Sequence, residues 1–389
     1  MADERPDAPA APSPGREPLH RRLERVLRDE IGSGALGAGA RLPSEPELSR
    51  RYGISRATVR QAVASLAAAG LVRREPGRGT FVVGGAPAAA SGPAVLGLVI
   101  AGLHGMFLAQ MLDGLRRAAG QAGVAMTLAA AELAPGQEEA ALAQVRAQGA
   151  AGAVVVPSPA CATPAAVYRR LQAAGFPLVF LDRCPPGVDA PAVTSDNVGG
   201  ARLLARHLLR LGHRSFGYVL SREYAASAAA ERLEATAECL AEADLPPSAL
   251  RTVRVGGAPS EALAPYVRAA ADGLLASGEP PSAILCTNDD VAIGVLAALR
   301  EHGLRVPEDA ALAGFDDLPF SALVDPPLTT VRQFAAEMGA RATGLLLALV
   351  HEGRTAGPRV VLPVELCIRR STAGVPGMPP PAPNSKPGH

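Results

Sequence analysis

The hydrophobic pattern of the chain changes its period once, near residue 90. Upstream, Leu19, Leu23, Val26, Leu27 and Ile31 recur at the spacing of an amphipathic helix, which the run GSGALGAG ends. A second, short helix is predicted from the Ser44/Glu47 capping pair to Tyr52, with Pro46 in the first turn, where a missing N–H is tolerated. Gly53 permits a tight turn and Ser55 caps a third helix. In that helix Val59, Ala62, Val63 and Leu66 form the inward stripe, and Arg60 and Gln61 lie opposite. Leu71–Arg74 and Thr80–Val83 flank EPGRG, which predicts a hairpin with Arg78 at its tip.

Downstream, short continuous apolar runs alternate with helical stretches. The runs are VLGLVIA at 95–101, AGAVVVP at 151–157, PLVFLD at 177–182, FGYVL at 216–220, SAILC at 282–286 and AALAGF at 310–315. Helices are predicted near 107–122 and 333–350. Buried strands separated by amphipathic helices predict an α/β class with parallel sheets covered on both faces. This region is at the upper limit of length for one sheet domain, so two lobes with a cleft between them are expected over a single large sheet.

Composition sharpens the boundaries. Residues 1–18 and 372–389 have the Pro, Gly and Ala content of disordered tails, and 84–93 (GGAPAAASGP) reads as a linker. The folded parts are then 19–83 and 94–371. No apolar run approaches a membrane span, and Met1–Pro18 has no secretory pattern, so the expected location is the cytoplasm. Five dispersed cysteines without a C-x-x-C argue against a disulfide framework and against a thiolate zinc site. The lone lysine, Lys386, lies near the end of the chain, which excludes a Walker loop and a pyridoxal Schiff base. Without G-x-S-x-G or H-E-x-x-H either, no enzyme chemistry, cofactor or metal is expected.

The net charge of +1 conceals a basic module, because residues 19–83 carry 12 arginines against 6 acidic residues. A basic helix-turn-helix followed by an Arg-tipped hairpin suits duplex DNA: Arg pairs with guanine and Gln with adenine in the major groove, while the hairpin reaches phosphates or the minor groove. The motifs LPSE, GISRATVR, LAAAGLVRR and GRGTFV resemble the winged helix of GntR-family regulators over the whole of this module. The resemblance implies DNA contact by Ser55, Arg56, Thr58 and Arg60 in the recognition helix and by Arg78, Gly79 and Thr80 in the wing. Ser44 and Gln61 complete the expected surface. Pro46 stands where the family usually has Arg, which removes one contact.

Residues 95–371 resemble the effector domain of LacI-type regulators and periplasmic sugar-binding proteins, through VLGLVI, FLDR, TSDNVGGARLLARHLLRLGHRSFGYV, CTNDDVAIGVLAAL, GFDD and DPPLTTVRQ. That family has two Rossmann-like lobes joined by three crossovers. Parallel sheets bind ligands beyond their strand carboxyl ends. The candidate effector residues are therefore His104, Phe107, Asp182, Arg183, Asn288, Asp289 and Asp316, and Arg232 joins them by the resemblance. Carboxylates, Arg, Asn and an aromatic face suit a sugar. Each polar candidate also has a structural alternative: Asp182 satisfying turn amides, Asp316 bonding between the lobes, Asn288 capping a helix. His207 and His213 are expected at the surface without a role.

The whole reads as a transcription regulator, a repressor in the simplest case. Its expected partners are a palindromic operator in double-stranded DNA, a small effector and a second copy of the chain. The apolar helices near 107–122 and 333–350 supply the dimer surface that the resemblance implies.

Overall fold

A computed structural model describes residues 19–32, 36, 39–68, 71–75, 79–82, 95–102, 105–131, 134–158, 163–220, 227–256, 263–276 and 278–372. The chain divides into two compact units, Met1–Gly92 and Pro93–His389. The expected tails and the linker lie outside the described residues, apart from Thr372.

The first unit contains α1 (Leu19–Gly32), α2 (Glu45–Tyr52), α3 (Arg56–Ala68), β1 (Val72–Glu75) and β2 (Gly79–Val82). Its core is built from Leu23, Leu27, Leu48, Val59, Ala62, Val63 and Leu66, closed by Leu42, Val72 and Val82. These are the positions the helical spacing turns inward. β1 and β2 are antiparallel, with Val72 opposite Val82 and Glu75 opposite Gly79. β1 starts one residue later than predicted because the Leu71 amide donates back to Leu66 O at the end of α3 (3.0 Å). A third segment joins this small sheet: Leu42 N donates to Thr80 O (2.8 Å) and Val82 N to Ala40 O (2.9 Å).

The second unit has two lobes. In lobe 1, β3 (Val95–Ala101), α4 (Met106–Ala122), β4 (Ala125–Ala131), α5 (Gln137–Ala147), β5 (Ala150–Val156), α6 (Ala165–Ala173), β6 (Leu178–Leu181) and β7 (Ala192–Ser195) follow in turn. The chain then crosses to lobe 2 for α7 (Asn197–Arg210), β8 (Phe216–Leu220), α8 (Ser227–Ala241), β9 (Leu250–Arg254), α9 (Leu263–Ala276), β10 (Ala283–Cys286), α10 (Asp289–Glu301), β11 (Ala311–Ala313) and β12 (Thr330–Arg332). It returns to lobe 1 for α11 (Ala335–Glu352) and β13 (Arg359–Leu362), and crosses a third time to β14 (Glu365–Cys367).

The lobe 1 sheet has the order β13-β7-β6-β5-β3-β4 and the lobe 2 sheet the order β11-β10-β8-β9, while β12 pairs with β14. Both main sheets are parallel, so their loops and helix N-termini gather at the strand carboxyl ends. α5 and α6 cover one face of lobe 1, and α4 and α11 the other. Lobe 2 has α9 and α10 on one face and α7 and α8 on the other.

One sequence expectation changes here, and one pair of helices packs backbone to backbone. One face of α4 and one of α11 pack on each other and on the sheet: Met111, Leu115, Met338, Ala342 and Leu346 are buried together. The backbones meet so closely that a Cβ on Gly114 would lie 1.9 Å from Ala336 O, and one on Gly339 would lie 2.1 Å from Met111 O. His207 and His213 are buried rather than at the surface. The ring of His207 reaches Thr372 Oγ1 (3.0 Å), where the C-terminal strap crosses lobe 2, and His213 reaches Ser282 Oγ (3.1 Å). Burial lowers the His207 pKa to about 4, helped by Arg210 and His213.

Candidate functional site

In the first unit, local hydrogen bonds present α3 to solvent. The Ser44 amide and hydroxyl both donate to Glu47 Oε2 (2.7 Å each), fixing the start of α2 and holding the Glu47 carboxyl below its usual range. Gly53 takes the left-handed conformation (φ 64°) that ends α2. Ser49 Oγ donates to Ile54 O (2.7 Å) and stitches the turn. Ser55 Oγ then accepts from Thr58 N (3.2 Å) and lies 2.8 Å from Thr58 Oγ1. Ser44, Ser55 and Thr58 thus have structural bonds as well as an outward position.

Arg56, Arg60 and Gln61 are exposed on the outer face of α3, with Val59, Ala62 and Val63 buried behind them. Glu45, which sequence reasoning passed over, accepts from Arg60 Nε (3.4 Å) and pairs with Arg74 of β1. The carboxylate thereby links the outer face of α3 to the hairpin. Gly79 has φ 127°, and Arg41 Nε sits 2.8 Å from where its Cβ would be, so a side chain there would displace Arg41. Arg78, the expected hairpin tip, lies outside the described residues. Thr80 is half-buried on β2.

In the second unit, charged groups converge between the lobes. Asp182 follows β6 with φ 73°, and Asp316 follows β11 with φ 120°. Such conformations cost non-glycine residues on the order of 1 kcal/mol or more and persist where the surroundings hold them. Arg183 closes on Asp182 Oδ2 through Nε and Nη2 (3.0 Å each). Arg232, on α8, is buried: its Nε donates to Asn197 Oδ1 (2.9 Å) and its Nη1 to Thr287 O (2.9 Å). The guanidinium lies 3.7 Å from the centre of the Phe315 ring and 4.0 Å from Asp316 Oδ1.

Asp316 accepts from Gln333 Nε2 (2.6 Å). Burial raises its carboxyl well above the usual range, Arg232 opposes the shift, and Asp289 and Asp182 add to it. Asn197 donates in turn to Glu231 Oε2 (2.9 Å). Asn197 and Gln333 stand on two of the three crossovers, one just after β7 and the other just after β12. Sequence reasoning missed both, although each lies inside a quoted motif, TSDN and TTVRQ respectively.

The remaining candidates fall differently. Asn288 caps α10, its Oδ1 accepting from Val291 N (3.0 Å). Asp289 is fully buried and turned away from solvent: its carboxylate accepts from Leu318 N (2.9 Å), Ser321 Oγ (2.6 Å) and Thr330 Oγ1 (2.6 Å). Burial raises its pKa to about 6 against those bonds. Asp289 holds the loop after β11 in place and leaves Asp316 to face the cleft. Phe107 is half-buried in the first turn of α4, and His104 lies outside the described residues. Among the described residues no cluster of His, Cys, Asp and Glu could hold a metal ion, and no helix is long and apolar enough to cross a membrane.

Residues 19–82 match the family of bacterial regulatory proteins, gntR family, and residues 205–372 match the periplasmic binding protein-like domain. The arabinose metabolism transcriptional repressor of Geobacillus stearothermophilus is 26% identical over 364 residues, spanning 91% of this chain and 98% of that one. The HTH-type transcriptional regulator MalR of Streptomyces coelicolor is 35% identical over 223 residues, 54% of this chain and 60% of MalR. The crystal structure of the lac repressor dimer bound to operator and the anti-inducer ONPF shares the fold, with a TM-score of 0.63 at 24% identity over 73% of this chain and 96% of that one.

An exposed basic helix-turn-helix and a two-lobed binding domain with a charged cleft define a DNA-binding transcription regulator controlled by a small effector. Within that class the chain combines a domain of the gntR family with a periplasmic binding protein-like domain, and the relatives it resembles are named as transcriptional regulators and repressors.

Proposed function

We propose that this chain is a cytoplasmic repressor of sugar-metabolism genes, which binds a palindromic operator as a homodimer and releases it when a sugar occupies the cleft. The observation that carries the reading is the buried Arg232, held by Asn197 and Phe315 and facing Asp316 where the lobes meet. A guanidinium and carboxylates at one cleft match the paired donors and acceptors of sugar hydroxyls. Asp182, Arg183, Asn288, Asp316 and Phe107 supply the other contacts, and Asp289 supports them from behind. On the DNA side, Arg56, Arg60 and Gln61 read bases, while Ser44, Ser55, Thr58, Arg78, Gly79 and Thr80 position the unit on phosphates. The name of the arabinose repressor, which is similar over most of this chain, favours a pentose as the first probe.

The cleft binds and does not catalyse. A sugar can move operator affinity only through its different affinities for the open and closed lobes. The test is fluorescence anisotropy of the full chain on duplexes from its own promoter region, titrated with L-arabinose, D-ribose, D-glucose and maltose. Release of the duplex by one of them, with the sugar recovered unaltered, is the expected result. Sugar binding that leaves operator affinity untouched overturns the coupling, and turnover of the sugar overturns the non-enzymic assignment.

A further inference from the structure

The acidic side chains of the first unit are employed in different ways. Glu47 caps α2, taking the amide and the hydroxyl of Ser44. Glu30 pairs with Arg51 (3.0 Å) and accepts from Tyr52 Oη (3.2 Å), which ties α1 to α2. Glu45, the first residue of α2, does neither. Its two carboxylate oxygens are shared between Arg60 of α3 (Nε, 3.4 Å) and Arg74 of β1. Three elements thus meet at one carboxylate, through residues 15 and 29 positions away from it along the chain. Both guanidiniums are mainly in water, whereas the carboxylate is largely covered.

That arrangement opposes binding to DNA of arbitrary sequence. A cation contributes to such binding by displacing counterions from a phosphate, whatever the bases are. A guanidinium that already faces a carboxylate gains less from the exchange, and the carboxylate itself is repelled by the phosphates. Glu45 therefore subtracts charge from the face on which Arg56, Arg60 and Gln61 are exposed.

The correct base is a different competitor. A phosphate oxygen offers charge at every step of the duplex, whereas a guanine edge offers two acceptors, O6 and N7, at one place and in one geometry. Surface ion pairs are weak enough to be exchanged for such a partner. Arg60, on the outer face of α3, can be drawn off Glu45 in this way. Arg74, on the hairpin strand, stays with the carboxylate that Arg60 has left.

We infer that Glu45 is a specificity-determining residue of the DNA-binding unit: an internal stand-in for a phosphate, it holds Arg60 and Arg74 back from random sequence and yields Arg60 to the operator. This rests on the base-reading role proposed for Arg60 and deepens it. Neutralising Glu45 frees both cations for phosphates on a random duplex. On the operator Arg60 is taken by a base in either case, so only Arg74 is gained. Each added phosphate contact steepens the fall of log affinity with log salt by about 0.9, and strengthens binding about 10-fold near 100 mM salt. A merely structural role at the start of α2 has the opposite sign, since damage to the helix would weaken both duplexes.

The test is fluorescence anisotropy of the full chain and its Glu45→Gln variant between about 50 and 200 mM salt. The probes are a duplex from its own promoter region and a scrambled duplex of the same length and composition. Glu45→Gln is expected to bind the scrambled duplex at least about 10-fold more tightly, with a salt slope steeper by about 1–2. The promoter duplex gains less, so the preference between the two falls about 10-fold. Adding Arg74→Met to Glu45→Gln is expected to take back part of the gain on both. An unchanged or weaker hold on the scrambled duplex overturns the inference, as does an equal gain on the two. Glu45→Ala, which leaves the Glu47 cap in place, decides the matter if Glu45→Gln does not fold. An Arg60→Ala chain that keeps the full preference for the promoter duplex removes the base-reading role and this inference with it. One that loses the preference, while Glu45→Gln behaves as wild type, removes only the inference.

Discussion

The two units carry their functional arginines in opposite ways. The Arg60 side chain on α3 is 64% exposed and shares Glu45 with Arg74, whereas the Arg232 side chain is 6% exposed and locked by Asn197, Thr287 and Phe315. An exposed guanidinium is cheap to redirect from a carboxylate to a phosphate, because a surface pair contributes about 0–1 kcal/mol. A buried one is fixed in advance and discriminates by geometry. On the proposed function, the same residue type serves a long, repetitive polyanion in one unit and a single small molecule in the other.

Salt tests the contrast most strongly. If a dimer neutralises six to ten phosphates, operator affinity falls about 10³–10⁵-fold between 50 and 200 mM salt. Sugar affinity, read by calorimetry in the same buffers, is expected to change little, since buried pairs are weakly screened. Equal sensitivity in the two titrations would erase the distinction. Next in size, Arg232→Met leaves Asp316 without its nearby cation and is expected to destabilise the second unit by about 3 kcal/mol in denaturant unfolding. The same change is expected to abolish the response to sugar.

Arg60→Ala should cost operator binding about 1–3 kcal/mol and relax preference at one base pair, measured by anisotropy on a set of single-substitution duplexes. An equal loss on every duplex would reassign Arg60 to phosphate contact. A further effect concerns the buried histidine of lobe 2. His207 has its folded pKa depressed to about 4, so in the unfolded chain it takes up a proton first as pH falls. Stability is therefore lost as pH drops from about 6.5 towards 4. His207→Asn is expected to flatten that part of a thermal-melt profile, and an unchanged slope would show that the ring is accessible to protons in the fold.

Much of this was legible beforehand, for identifiable reasons. The central strands β3, β5, β6, β8 and β10 are buried on both faces and read as unbroken apolar runs. The edge strands β4, β9 and β13 have one side in water, so AMTLAAA, LRTVR and RVVL gave no such run and passed unnoticed. At the cleft, Asp182 and Asp316 could be located because the residue after a parallel strand has nowhere else to be.

Asp289 also follows an apolar strand, but its direction depends on Ser321 and Thr330, which are 32 and 41 residues away in sequence. Strand-end logic places a side chain without aiming it. Asn197 and Gln333 stayed hidden for another reason. They sit on crossovers, whose importance comes from joining lobes and leaves no periodicity to read. His207 looked solvent-facing because a polar residue on an amphipathic helix usually is, whereas the return of the chain brings Thr372 onto its ring.

The glycine contacts between α4 and α11 have a mechanical consequence. Gly114 lies against Ala336 and Gly339 against Met111 with no side chain between the two backbones, so sliding that brings a larger residue into either contact meets backbone. α11 begins two residues after Gln333, and Phe107 stands in the first turn of α4. Packed this closely, the pair is expected to tilt as one body, so that a tilt begun at the crossover is carried across lobe 1.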